Sequence, residues 1–198
     1  MRGLRWLLVC VLAAWPAASA ELDEAILAGG CFWCVEADFD ALAGVVETTS
    51  GYIGGKFPNP TYETHVANGD LEAVRVRFDP AVVDYRTVLD AFWRTIDVTD
   101  DRGQFCDRGN SYRTAVYVRS AEERSIAEAS KAAAEEALGR RIVTRILDAP
   151  TFWPAEGYHQ DYYLKNSLRY RYYRFACGRD QRVRQVWGEA AFEGLAKD

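Results

Sequence analysis

EAILAGGCFWCVEADFDALAG, Glu24 to Gly44, is the stretch on which the fold turns. Glu24 to Gly30 is a short apolar run closing on a glycine pair, the pattern of a buried strand that ends in a sharp turn. Beyond it Val35, Phe39 and Leu42 repeat at helical spacing and stop at Gly44, so a helix follows directly. Cys31 falls in the first turn of that helix. Free main-chain N–H groups and the helix dipole there favour a thiolate, the nucleophilic form. Phe32 and Trp33 are adjacent and cannot both face the core side of one helix. At least one is therefore expected beside the sulfur, where it lines an apolar pocket.

The same alternation continues outward. VVETTSGYIGG reads as a strand ending in a glycine-rich turn, and THVANG as one or two helical turns. LEAVRVRFDP sets Ala73, Arg75 and Arg77 against Val74, Val76 and Phe78, a half-buried strand that Asp79-Pro80 ends. Tyr85 to Ile96 carries Val88, Leu89, Phe92, Trp93 and Ile96 on one helical face. The segment from Asp97 to Ser111 is a long loop, and its length makes it a functional suspect. YRTAVYV is a strand, Ser120 to Gly139 a helix with Ser120 and Glu123 spaced as a capping box, and RIVTRIL a last strand. This order predicts an α+β fold: a two-layer α/β plait with a mixed sheet and helices packed on it. From Ala149 regularity weakens, apart from a short helix in GYHQDYYLKN, and an extended C-terminal tail is expected to wrap the sheet.

The chain has 198 residues, 49% hydrophobic and 27% charged, which suits one domain with its own core. Its net charge of −5 offers no basic face for nucleic acid. RYRYYR, Arg169 to Arg174, is locally basic and aromatic, and is read as a snorkelling surface. Residues 1–20 have a charged start at Arg2 and Arg5, an apolar run from Trp6 to Trp15, and Ala18-Ser19-Ala20. That is the pattern of a signal peptide cleaved after about Ala20. An uncleaved amphipathic anchor is the competing assignment, and Cys10 does not sit in a good lipoprotein box. Residues 21–198 are then a single catalytic domain, exported to the periplasm and without stable membrane insertion. Losing two arginines and no acids takes the charge from −5 to −7. Cys31, Cys34, Cys106 and Cys177 remain, and an oxidising compartment permits two disulfides among them without requiring any.

A zinc site is disfavoured because no second cysteine pair exists and His65 and His159 are far apart in sequence. A thioredoxin-like CxxC competes better, since it also sits after a strand at a helix start. Against it, this strand is the first of the exported chain, and no proline precedes a late strand. A single activated thiol with aromatic neighbours explains more of the stretch.

GGCFWCVE resembles the signature of the A-type peptide methionine sulfoxide reductases. GYIGGKFPNPTYETHVANG, LEAVRVRFDP, FCDRGNSYRTAVY and AEGYHQDYYLKN resemble further blocks of that family, in the family's order, from Ala25 to about Gly188. The resemblance implies reduction of the S epimer of methionine sulfoxide, free or within proteins, and repair of oxidised proteins. It makes Cys31 the nucleophile, with Phe32 and Trp33 holding the substrate methyl. Glu72, Tyr62 and Tyr112 would serve the departing oxygen, and Asp107 would help hold the substrate site. Burial of Glu72 would raise its pKa and keep it a proton donor, and tyrosine hydroxyls donate without bringing charge.

The resemblance further implies a sulfenic acid on Cys31 that a second thiol closes to a disulfide, reopened by a thioredoxin-like reductant. Cys34, Cys177 and Cys106 are the candidate resolving cysteines, with Cys34 favoured slightly over Cys177 and a relay using both as the alternative. No bound cofactor or metal is expected, and the chain is expected to be a monomer. Many family members carry a histidine two residues before the glutamate, where this chain has Asp70. That acid is expected to raise the Glu72 pKa further or to alter the pocket entrance. A periplasmic thiol–disulfide oxidoreductase using CFWC is the alternative function.

Overall fold

The structure, a computed structural model, describes residues 21–196, so the expected leader and Cys10 lie outside the described residues. The first apolar run forms β1 (Asp23–Gly29) and the next turn starts α1 (Phe32–Phe39). Between them Gly30 has φ of 85°, and a Cβ there would meet Gln104 Cβ at 2.6 Å. Only glycine satisfies both conditions, so the strand-to-helix corner that seats Cys31 depends on it.

β2 (Val45–Ile53), α2 (His65–Asn68), β3 (Leu71–Phe78) and α3 (Tyr85–Trp93) follow as the residue patterns predict. The long loop is not structureless: it holds a small hairpin, β4 (Gly103–Gln104) with β5 (Asp107–Arg108). Then come β6 (Thr114–Val118), α4 (Ala121–Leu138), β7 (Arg145–Asp148) and β8 (Phe152–Pro154). Ser120 Oγ accepts from the Glu123 N–H at 3.1 Å, while the Glu123 carboxylate turns back to the Arg119 N–H at 2.7 Å.

The main sheet has the order β7-β6-β1-β3-β2-β8. Only the β6–β7 pair, joined through α4, is parallel, so the sheet is mixed as expected. β3 lies between β1 and β2, and its alternation divides the molecule. Val74, Val76 and Phe78 enter the larger core with Leu27, Phe32, Val35, Phe92 and Trp93. Ala73 joins Ile26, Ala28, Ile53 and Tyr117 on the opposite face. Residues of α1, α3 and α4 all contribute to the larger core, so the helices gather on one side of the sheet.

The expected extended tail is instead helical. α5 (Tyr162–Lys165) matches the short helix anticipated, but α6 (Ser167–Ala176) and α7 (Arg179–Trp187) were not legible. The inward face of α6 is held by tyrosine and arginine, and α7 opens on buried Arg179 before Val183 and Trp187 reach the core, so the usual apolar period is interrupted. Buried Arg179 donates to the carbonyls of Gly29 and Thr95 at 3.3 and 3.1 Å. Arg174 pairs with buried Asp38 at 2.8 Å and with Asp180 at 2.7 Å. RYRYYR is therefore not a mere snorkelling surface, since Tyr170, Tyr173 and Arg174 point into the protein. No helix among the described residues is long and apolar enough to cross a membrane.

Candidate active site

Cys31 is the N-cap of α1, and both its side chain and that of Cys34 are buried. Cys34 N–H closes back on the Cys31 carbonyl at 3.1 Å, which puts the two thiols on one turn. They are hydrogen-bonded to each other and capped by Tyr170 and Tyr173 of α6. The expected thiolate at Cys31 is not what this arrangement favours. Burial, then Cys34, then Glu72 push the Cys31 thiol well above its ordinary range, against a smaller opposing hydrogen bond from Tyr173. Cys34 moves the other way, to about 7, through its hydrogen bond with Cys31 and the nearby charges of Arg179 and Arg174. The helix terminus is outweighed at Cys31 by the burial of that sulfur, whereas two arginines stand near Cys34.

A cavity of about 90 Å3 opens over Cys31, lined by Phe32, Trp33, Tyr62, Glu72, Asp107, Tyr112 and Tyr173. Phe32 is core-buried yet reaches this wall, and Trp33 is half-buried beside it, so one aromatic does stand partly open by the sulfur. Trp33 is fixed by a hydrogen bond from Nε1 to His159 Nδ1 at 3.0 Å and by stacking on Tyr162 at 3.8 Å. Glu72, on β3, is buried at 2% exposure and accepts from the Phe32 N–H at 3.0 Å. Burial first, then Asp107 and Cys34, raise its pKa to about 8 against that one hydrogen bond. His65 Nδ1 bonds the Tyr62 carbonyl at 2.8 Å, and a carbonyl only accepts. The other ring nitrogen of His65, Nε2, lies 3.8 Å from Glu72 Oε1.

The tyrosines differ in freedom. Tyr62 is 41% exposed, with its N–H held by Glu156 at 2.9 Å, while Tyr112 is half-buried. Burial raises the pKa of both above the phenol range, so both stay protonated. Asp70 does not act on Glu72 as expected. Its carboxylate accepts from Gly55 N–H at 2.8 Å and Asn68 Nδ2 at 2.6 Å, so it braces the turn before α2.

All four non-cysteine polar residues singled out from the sequence, Glu72, Tyr62, Tyr112 and Asp107, meet Cys31, Phe32 and Trp33 in this one cavity. Cys34 is not part of the cavity wall but is buried against Cys31. Cys106 and Cys177 are joined in a disulfide, and its sulfurs lie within 4.8 Å of an Asp107 carboxylate oxygen. Tyr173 was missed. Its hydroxyl bonds both the Asp107 carboxylate and the Cys31 thiol, so it links nucleophile to disulfide. Its place four residues before Cys177, one helical turn, was the available signal.

A small cavity with a buried thiol, an aromatic wall and a carboxyl whose pKa is raised to about 8 suits a small substrate with an apolar part and an atom that takes up a proton. Residues 23–191 match the family model "Peptide methionine sulfoxide reductase". The chain belongs to the peptide methionine sulfoxide reductase family. It is 51% identical over 191 residues to peptide methionine sulfoxide reductase MsrA 2 of Rhizobium meliloti, covering 96% of each chain. It is 51% identical over 174 residues to the protein of the same name in Caulobacter vibrioides, covering 86% of this chain and 88% of that one. Among solved structures it resembles methionine sulfoxide reductase A of Corynebacterium diphtheriae, with TM-score 0.65 and 31% identity over 74% of this chain and 76% of that one. It also resembles reduced Mxr1 of Saccharomyces cerevisiae, with TM-score 0.71 and 28% identity over 76% of this chain and 88% of that one. The methionine sulfoxide reductase fold thus accounts for the mixed sheet and the helices on it. The alternative of a general CFWC disulfide exchanger is not favoured, because Cys31 and Cys34 are only 5% and 2% exposed. Neither sulfur is presented to a protein disulfide.

Proposed function

We propose that this chain reduces the S epimer of methionine sulfoxide, free or in oxidised proteins, with Cys31 as nucleophile, its thiol proton passing to the sulfoxide oxygen as the sulfur attacks. The observation that carries this is Glu72, buried and with its pKa raised to about 8, facing the same small cavity as the Cys31 thiol. The substrate methyl packs on Phe32 and Trp33, an apolar contact without charge. Its oxygen faces Glu72, Tyr62 and Tyr112, which donate hydrogen bonds to the charge that develops there. Oxygen passes from the substrate sulfur to Cys31, which becomes a sulfenic acid, and methionine leaves.

Cys34 then attacks the Cys31 sulfur, forming a Cys31–Cys34 disulfide and releasing water. Its thiol, held near 7, is substantially ionised at neutral pH and already touches Cys31. Exchange with Cys177 and Cys106 moves the disulfide outward, and a thioredoxin-like dithiol reopens it. What supports this order is exposure: the inner pair is buried, while Cys106 is exposed. The described state, inner thiols free and outer pair bonded, fits the end of that transfer. In place of a single resolving cysteine, Cys34, Cys177 and Cys106 act in series. No bound cofactor takes part. The leader pattern of residues 1–20 supports work in the periplasm on oxidised exported proteins.

The test is a stereochemical assay with dithiothreitol. The chain should consume the S epimer of methionine sulfoxide and spare the R epimer. Reduction of insulin disulfides with no action on either epimer would sink the proposal.

A further inference from the structure

We propose that the outward face of α6, formed by Leu168, Tyr172 and Phe175 and edged by Arg171 and Arg184, is the docking surface for the protein dithiol that reopens the Cys106–Cys177 disulfide. This rests on the redox function above and adds where the reductant sits and what its surface must be. Leu168, Tyr172 and Phe175 are 77%, 75% and 85% exposed and spaced at i, i+4 and i+7, so they form one stripe. The opposite face of the same helix is fully employed, with Tyr170 and Tyr173 over the thiols. Single exposed apolar residues are ordinary, but a stripe on one helix face that ends two residues before a disulfide is a contact surface.

Charge selects the partner. Residues 167–187 hold six arginines and one aspartate, whereas the whole chain carries −5. Arg174, Arg179 and Arg182 are tied inward to Asp38, Asp180 and Asp97. Arg169, Arg171 and Arg184 are exposed around the stripe. Between α6 and α7 a groove of about 380 Å3 is lined by Arg171, Phe175, Gln181 and Arg184, together with Asp180, whose charge is taken up by Arg174. The complementary occupant is a thioredoxin-type reductant whose reactive thiol is ringed by apolar residues and rimmed by acids. A protein seated there has its thiol beside Cys106, the exposed sulfur of the pair, while Cys177 is half-buried at the α6 C-cap.

The step balances. The reductant thiolate bonds to Cys106 Sγ, the Cys106–Cys177 bond breaks, and Cys177 leaves as a thiolate that takes a proton. The reductant's second thiol then attacks the mixed disulfide, leaving Cys106 reduced and the reductant oxidised.

The experiment compares two reductants on the full chain: dithiothreitol, and thioredoxin recycled by thioredoxin reductase and NADPH. Leu168→Ser/Tyr172→Ser/Phe175→Ser should raise the apparent KM for thioredoxin about tenfold or more, with dithiothreitol-driven turnover unchanged. Arg171→Glu/Arg184→Glu should raise it too and should flatten its dependence on salt. An unchanged KM for thioredoxin overturns the proposal, as does equal loss with both reductants. Sedimentation showing a dimer that the triple variant splits assigns the stripe to a second copy and also overturns it. A wild-type chain that reduces no sulfoxide with dithiothreitol instead overturns the function on which the proposal rests.

Discussion

The Phe32 main-chain N–H donates to Glu72 Oε2 at 3.0 Å. One bond thereby ties the helix that carries the nucleophile to the central strand that carries the acid. A main-chain donor beside Cys31 thus holds the buried Glu72 side chain, which keeps the proton donor near the sulfur it serves.

Glu72, with its pKa raised to about 8, holds its proton below that value and loses it above. The single-turnover rate of sulfoxide reduction should therefore fall as pH rises through about 8. Glu72→Gln, which has no acidic proton, should slow the reaction by roughly 10²–10⁴-fold and abolish that descending limb. Rapid-quench measurement of methionine across pH checks both.

The same group sets a stability slope. Folded Glu72 binds a proton up to about 8, whereas its ordinary value is 4.5. Between those values the native state holds the extra proton, so stability falls as pH rises through the window. At pH 9 the buried carboxylate is charged, and Glu72→Gln should unfold at higher temperature than the wild type. Near pH 4 the difference should shrink, which calorimetry at the two pH values will show.

Cys31→Ser should yield no methionine at all. Cys34→Ser should still yield about one methionine per chain in the absence of reductant, then stall as a sulfenic acid that dimedone traps. Cys177→Ser should keep that first methionine while thioredoxin-driven recycling slows by about tenfold or more. Mass spectrometry of the trapped intermediates separates the three.

Tyr173→Phe removes the hydroxyl that bonds Cys31 and Asp107. That hydrogen bond lowers the Cys31 pKa, so the thiol should titrate higher in the variant. Losing one bond to a charged group costs about 1.5 kcal/mol, or about tenfold in the first turnover. The pH profile of iodoacetamide alkylation at Cys31 measures the shift directly.

Much of the site was legible because residue types in order mark each element end. Gly29-Gly30 marked the corner below Cys31, and the alternation in LEAVRVRF marked the strand bearing Glu72. The role of Asp70 was misjudged because sequence nearness to Glu72 says nothing of direction. Successive strand residues point to opposite faces, but Asp70 lies just before β3 and turns to Gly55 and Asn68.

The family resemblance alone put Glu72 in the company of Phe32 and Trp33, whereas the sequence pattern by itself determined the strand–corner–helix that presents Cys31 and the mixed α+β plan. Those features are local, written in hydrophobic period and glycine placement. Tertiary structure alone decided which thiols touch, that burial lifts Cys31 while arginines settle Cys34, and that Tyr173 joins Cys31 to Asp107. These depend on α6 and α7 folding back over α1 from more than a hundred residues away. Solvent exclusion and long-range charge have no period in a sequence, so only the folded chain could assign them.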